Sequence, residues 1–117
     1  MTLNWTGFVS LDENGVNTIK AIPGVYRLGY TGTDGKKYVY YVGQASDLKS
    51  RLSQHLSSAE QNSCCSGYVG KGKCYFRAAA ISLQEERDAA EVALYKKFAP
   101  KCCEQIPDCE PSVINFD

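Results

Sequence analysis

Five polar side chains of this chain have the types and order to do chemistry together: Tyr26, Tyr41, Arg51, His55 and Glu91. They stand in Gly24-Val25-Tyr26, in Tyr41-Val42-Gly43, four residues apart at Arg51 and His55, and at Glu91 inside Ala-Ala-Glu-Val-Ala-Leu. Two phenols, a guanidinium, an imidazole and a carboxylate are what metal-assisted phosphodiester hydrolysis requires. Such a reaction needs an activated in-line water, stabilisation of added negative charge, and a leaving oxygen that is protonated or bound to a cation. Arg51 could hold the scissile phosphate by charge-assisted hydrogen bonds. Tyr26 or Tyr41 could position or deprotonate water, provided that nearby positive charge lowers a phenol pKa that is ordinarily near 10. His55 could orient one of those tyrosines or relay a proton.

Glu91 is the most informative of the five. It lies among Ala89, Ala90, Val92, Ala93 and Leu94, and a carboxylate facing an apolar core is costly without a partner. Bound Mg²⁺ or Mn²⁺ would be such a partner. The structural alternative is a surface Glu91 paired with Arg87 one turn earlier. Alternatives exist for the others taken singly. Tyr26 and Tyr41 suit a strand as packing residues, and Arg51 with His55 suits a solvated helix face. Only the joint pattern argues for a site.

The elements that must position these groups are legible in outline. Trp5 to Leu11 is predicted as a short strand, and Asn14 to Ala21 as a short helix ended by Pro23-Gly24. Val25 to Tyr30 and Lys37 to Val42 are predicted strands joined by the Thr31–Gly35 turn, hence a hairpin. Ser46 reads as a helix N-cap followed by acidic Asp47. Leu48, Leu52 and Leu56 then make an apolar stripe over a helix from about Asp47 to Ser57, with Arg51 and His55 sharing a face beside it. Glu60 to Lys73 is polar and rich in Gly and Ser, and reads as a long loop. Cys74 to Ile81 is a third strand and Gln84 to Phe98 a long helix closed by Pro100. The tail, Gln105 to Asp117, is expected to wrap over the surface or fray. A small sheet packed against helices buries all these apolar faces, an α+β arrangement.

With 117 residues, one domain over 1–117 is expected. No apolar run approaches the roughly 20 residues needed to cross a bilayer. Met1 to Ser10 lacks a basic stretch followed by an apolar one, so a cytoplasmic protein is expected. Formal net charge is zero, a mild argument against strong nucleic-acid binding, yet Lys36 to Lys101 holds eleven Lys and Arg against six Asp and Glu. That excess fits either a basic face or ordinary solubilising charge. Of the six cysteines, Cys64-Cys65 and Cys102-Cys103 are adjacent pairs, and Cys74 and Cys109 are single. Without a secretion signal or any C-x-x-C spacing, reduced incidental thiols are expected ahead of zinc ligands or disulfides.

The joint pattern resembles the GIY-YIG nuclease family. Gly24-Val25-Tyr26 stands at the first motif and Tyr41-Val42-Gly43 at the second, each with Val for Ile. Gln44 to Leu52 is similar to the family's helix entry with its catalytic arginine at Arg51. His55 matches the histidine one turn later, Glu91 the metal-binding glutamate of the last core helix, and Phe98-Ala99-Pro100-Lys101 the segment that closes it. The resemblance covers a core of about 23–104, between an N-terminal extension, 1–22, and a C-terminal tail, 105–117. It implies a small three-stranded antiparallel sheet flanked by helices, and DNA cleavage dependent on Mg²⁺ or Mn²⁺. One departure is Cys103, where the family often has Asn three residues after the proline. Target choice would then rest with the Glu60–Lys73 loop, the termini or a targeting partner protein. Two other functions compete: a non-cleaving nucleic-acid-binding module on the same fold, and a cysteine-based zinc protein.

Overall fold

The computed structural model describes residues 1–57, 62–69, 73–103 and 105–117. Its elements are β1 (Val9–Ser10), α1 (Glu13–Val16), β2 (Gly24–Thr31), β3 (Lys37–Ala45), α2 (Leu48–Leu56), α3 (Ser63–Val69), β4 (Cys74–Ala80) and α4 (Gln84–Phe98). The strands form one antiparallel sheet in the order β1-β4-β2-β3. The three expected strands are its body. A fourth, β1, is added at the β4 edge, where Val9 faces Phe76 and Ser10 faces Tyr75. The pairing is continued by Thr6 N to Ala78 O and Leu11 N to Cys74 O, both 2.9 Å. An otherwise open edge explains the addition, since unpaired strand amides and carbonyls need partners.

The sheet is covered on both faces, which is why β2 and β4 read as almost unbroken apolar runs. One face, with Tyr26, Leu28, Phe76 and Ala78, packs against Leu48 and Leu52 of α2. The other, with Val25, Val42 and Ala79, packs against Ala90, Ala93 and Leu94 of α4. Gly24 is required by close approach: a Cβ there would lie 2.3 Å from the Ala79 carbonyl oxygen and 2.7 Å from Leu48 Cδ1.

Several local expectations shift. The helix predicted over 14–21 is a single turn, capped by Asp12, whose side chain accepts from the Gly15 amide at 2.7 Å. Asn17 and Thr18 favour turns over helix continuation. The α2 cap is Asp47, accepting from Ser50 N at 2.9 Å, one residue later than the expected Ser46. Part of the expected 60–73 loop is α3, and of the rest 60–61 and 70–72 lie outside the described residues. Tertiary contacts override the polar composition of α3: Cys65 is buried in the core and Tyr68 stacks on Tyr30 and Tyr40.

The tail wraps. Asn115 accepts from Leu3 N and donates to Leu3 O, its carbonyl takes the Trp5 indole N–H, and Phe116 O takes Arg27 Nη1 at 2.7 Å. Among the described residues no helix is long and apolar enough to cross a membrane.

The cysteine expectation is corrected. Cys64 and Cys102 are joined as a disulfide, while Cys65, Cys74, Cys103 and Cys109 keep their thiols. The sheet brings together two pairs that are distant in sequence, which spacing alone does not reveal. Among the described residues no three His, Cys, Asp or Glu side chains group so as to hold a metal ion.

Candidate active site

Tyr26 and Tyr41 come from adjacent strands and point to the same face. In register, Tyr26 faces Gly43 and Leu28 faces Tyr41, and the pairing then slips, so that Gly29 faces Val39. The bulge leaves Tyr40 as the extra residue, which lets consecutive Tyr40 and Tyr41 both turn toward the α2 face. The two rings stack with centroids 6.0 Å apart. Gly43 makes this possible, because a Cβ there would lie 2.7 Å from Tyr26 Oη and 2.9 Å from Tyr41 Cε1. Gly43→Ala is therefore expected to spread the phenols at a cost of about 1–3 kcal/mol, read from urea unfolding.

His55 joins the cluster from α2. It falls on the same stripe as Leu48 and Leu52, three residues beyond the latter, and is buried at 1% exposure. The expectation that it flanks the apolar stripe is thus revised, and the solvated-face alternative does not hold for it. His55 Nε2 lies 2.9 Å from Tyr26 Oη, and its ring meets Tyr41 edge-on at 5.1 Å. Arg51, half-buried one turn earlier, directs Nη2 toward Tyr41 Oη at 3.5 Å and Nη1 toward Gln54 Oε1 at 3.3 Å.

Burial pushes the Tyr26 phenol well above its ordinary value, and the neighbouring Tyr41 adds to this. Tyr41 is also raised by burial, with Arg51 working in the opposite direction. Without a further cation both phenols therefore stay protonated at neutral pH, suited to donating hydrogen bonds and orienting water. Arg51 and Gln54 border a cavity of about 220 Å³ that is also lined by Gln44, Asp47 and Ser50. Its lining holds one guanidinium, Arg51, and one carboxylate, Asp47.

Glu91 approaches from the other face of edge strand β3. It is 7% exposed, and burial raises its carboxyl to about 7, with a hydrogen bond from the Gln44 amide working in the opposite direction and Asp88 raising it further. The surface pair with Arg87 is not formed. Arg87 turns to the carbonyls of Ile81 and Ser82 and to Gln84 Oε1. Gln44, which follows Gly43 directly, donates to Asp88 Oδ1 at 2.6 Å. Sequence reasoning missed Gln44 and Asp88; the signal for Asp88 is its place three residues before Glu91 on one helix face. Cys103 closes the edge between the two halves: its thiol accepts from Val42 N and donates to Val42 O, both at 3.3 Å.

A buried carboxylate with little compensating charge fits a divalent cation. With one such carboxylate, Mg²⁺ or Mn²⁺ would draw most of its ligands from water and substrate oxygens, as Mg²⁺ commonly does. Tyr26, Tyr41, Arg51 and His55 thus form one contiguous cluster, and Glu91 reaches its rim through Gln44.

These features define the class by its fold: the chain has the fold of a GIY-YIG domain. Its curated relatives include the UvrABC system protein C of Rickettsia rickettsii (strain Sheila Smith) and of Rickettsia conorii, each 30% identical over 110 residues. Those matches take in 94% of this chain but only 16% of the relative, so the chain spans about one sixth of their length. The fold is similar to the crystal structure of the GIY-YIG N-terminal endonuclease domain of UvrC from Thermotoga maritima, bound to magnesium. There the TM-score is 0.61 at 22% identity, covering 78% of this chain and 93% of that one. A point mutant of the same domain, bound to its catalytic divalent cation, gives 0.63 at 22% identity, covering 79% and 93%. No family model matches the chain.

Proposed function

We propose that this chain is a divalent-cation-dependent endonuclease, a hydrolase of DNA phosphodiester bonds acting in the cytoplasm. The observation that carries this reading is the packing of two phenols, an imidazole and a guanidinium into one cluster on one face of β3, with a desolvated carboxylate on the other face hydrogen-bonded to Gln44. Arg51 holds the scissile phosphate in the cavity it shares with Gln44. Tyr41, held between Tyr26 and Arg51, orients the attacking water in line with the leaving oxygen. His55 fixes Tyr26 by their hydrogen bond and accepts or returns a proton as the cluster adjusts. Glu91 holds Mg²⁺ or Mn²⁺, which when bound supplies positive charge for the leaving oxygen. The named activity of the solved UvrC domain supports the same reading. A partner protein that delivers the chain to its DNA is part of this reading, supported by the name of the curated relatives as protein C of a UvrABC system.

Supercoiled plasmid, flap and junction DNA incubated with the purified chain test the proposal. Nicking that appears with Mg²⁺ or Mn²⁺ and disappears with chelator is expected. One observation favours a second reading, a non-cleaving DNA-binding module: Cys103 spends both its hydrogen bonds on Val42. Salt-sensitive DNA binding without turnover under either cation would select that reading.

A further inference from the structure

None of the six cysteines takes part in the chemistry above, yet two adjacent pairs meet beside the tyrosine cluster. The Cys64–Cys102 disulfide joins residues 38 apart in sequence, from α3 to the segment that follows α4. That segment lies along the outer edge of β3. Cys102 N donates to Tyr40 O at 2.9 Å, and Cys103 grips both backbone groups of Val42. Asn62 Nδ2 adds a hydrogen bond to Cys102 O at 2.9 Å. Tyr40 and Val42 flank Tyr41, at the bulge that aims its ring. The disulfide therefore fastens α3 to the clamp that sets the backbone of a site residue.

We propose that the Cys64–Cys102 bond is a reversible thiol–disulfide modification site whose state sets the placement of Tyr41, and through it the rate of cleavage. The effect on rate rests on the nuclease reading; the exchange and the displacement of Tyr41 do not. Cys64 is exposed and Cys102 buried, so an incoming thiol meets Cys64 first. The thiolate of a small thiol such as glutathione attacks Cys64 Sγ. The protein S–S bond breaks, and its electron pair leaves on Cys102 Sγ, which takes a proton. A second thiolate attacks the glutathione sulfur of the mixed disulfide. Cys64 leaves as thiolate and is protonated, and glutathione disulfide is released. Two thiols thus supply the two electrons, and the reverse sequence re-forms the bond. A reducing compartment keeps the pair as thiols, so oxidation is the event that tightens the clamp and speeds cleavage.

The full chain equilibrated in buffers of graded glutathione to glutathione disulfide ratio tests this. Alkylation and mass measurement should show Cys64 and Cys102 becoming reactive together. The melting temperature should fall by roughly 10 °C on reduction. The turnover number in Mn²⁺-dependent nicking should fall about tenfold with KM little changed, as expected for misplacement of a positioning group. Cys64→Ser should behave as the reduced protein in every buffer. The Tyr41 ring resonance in tyrosine-labelled protein, assigned with Tyr41→Phe, should shift with the redox state whether or not DNA is cut. A Tyr41 resonance that stays fixed while the two thiols titrate overturns the proposal, as does an unchanged turnover number in an active protein. A resonance that moves in a protein that never cleaves supports the redox coupling and removes the nuclease reading alone.

Discussion

Glu91→Gln is expected to abolish cation-dependent cleavage and at the same time to make the protein more stable above pH 7. The two effects have one cause. Burial raises the Glu91 carboxyl to about 7 from its ordinary 4.5. Between those values the folded chain holds the proton more firmly than the unfolded chain does. The stability this gives is fully present below about 4.5 and is lost as pH rises through about 7. The loss is on the order of 3 kcal/mol in all. Gln is neutral at every pH and escapes it, so the melting temperature of the variant should stay level from pH 5 to 8 while that of the parent declines. Mn²⁺ should reverse the decline in the parent by binding the ionised carboxylate, and should leave the variant unmoved. Below pH 7 cleavage by the parent should fall up to tenfold per pH unit, because the proton competes with the cation. Thermal melts and nicking assays across pH, with and without Mn²⁺, measure all of this. A Glu91→Gln protein that nicks at the parental rate would remove Glu91 from the site.

Arg51→Ala is expected to lower turnover about 10²- to 10³-fold, the range seen when one preorganised donor to transition-state charge is removed. Stability should barely change, since Arg51 is only half-buried and its hydrogen bonds to Gln54 and Tyr41 are long, at 3.3 and 3.5 Å. The substitution also withdraws the cation that opposes burial at Tyr41, so the Tyr41 phenol should titrate higher still in a spectrophotometric titration. Arg51→Lys keeps the charge but loses the planar fork, and should recover only part of the rate. Equal turnover in the Ala variant and the parent, at matched folding, would show that Arg51 is solvated surface.

The main elements of the fold were legible because their signals are local. Runs of apolar and aromatic residues mark β2, β3 and β4, a four-residue leucine spacing marks α2, and Pro100 marks the end of α4. The weaker segments misled. The turn-forming residues of α1 shortened its helix, and α3 hid in a polar, Gly-containing stretch because its stability comes from Cys65, Tyr68 and the Cys64–Cys102 bond. The β1 strand was predicted, but its place as a fourth member of the sheet depends on an edge that only the assembled sheet presents.

For the site, the identities and order of Tyr26, Tyr41, Arg51, His55 and Glu91 were set by the chain itself, as were the glycines that let the first two approach. What those residues meet was decided in three dimensions. The slip in register at Leu28 and Gly29 puts Tyr40 and Tyr41 on one face. The burial of His55 makes it a partner of Tyr26. Arg87 turns away from Glu91, and Gln44, Asp88 and Cys103 gather around it. Periodicity and propensity act over a few neighbouring residues, and so they are written along the chain. Desolvation, strand register and thiol pairing depend on groups far apart in sequence, and they come into being only once the sheet and its helices have packed.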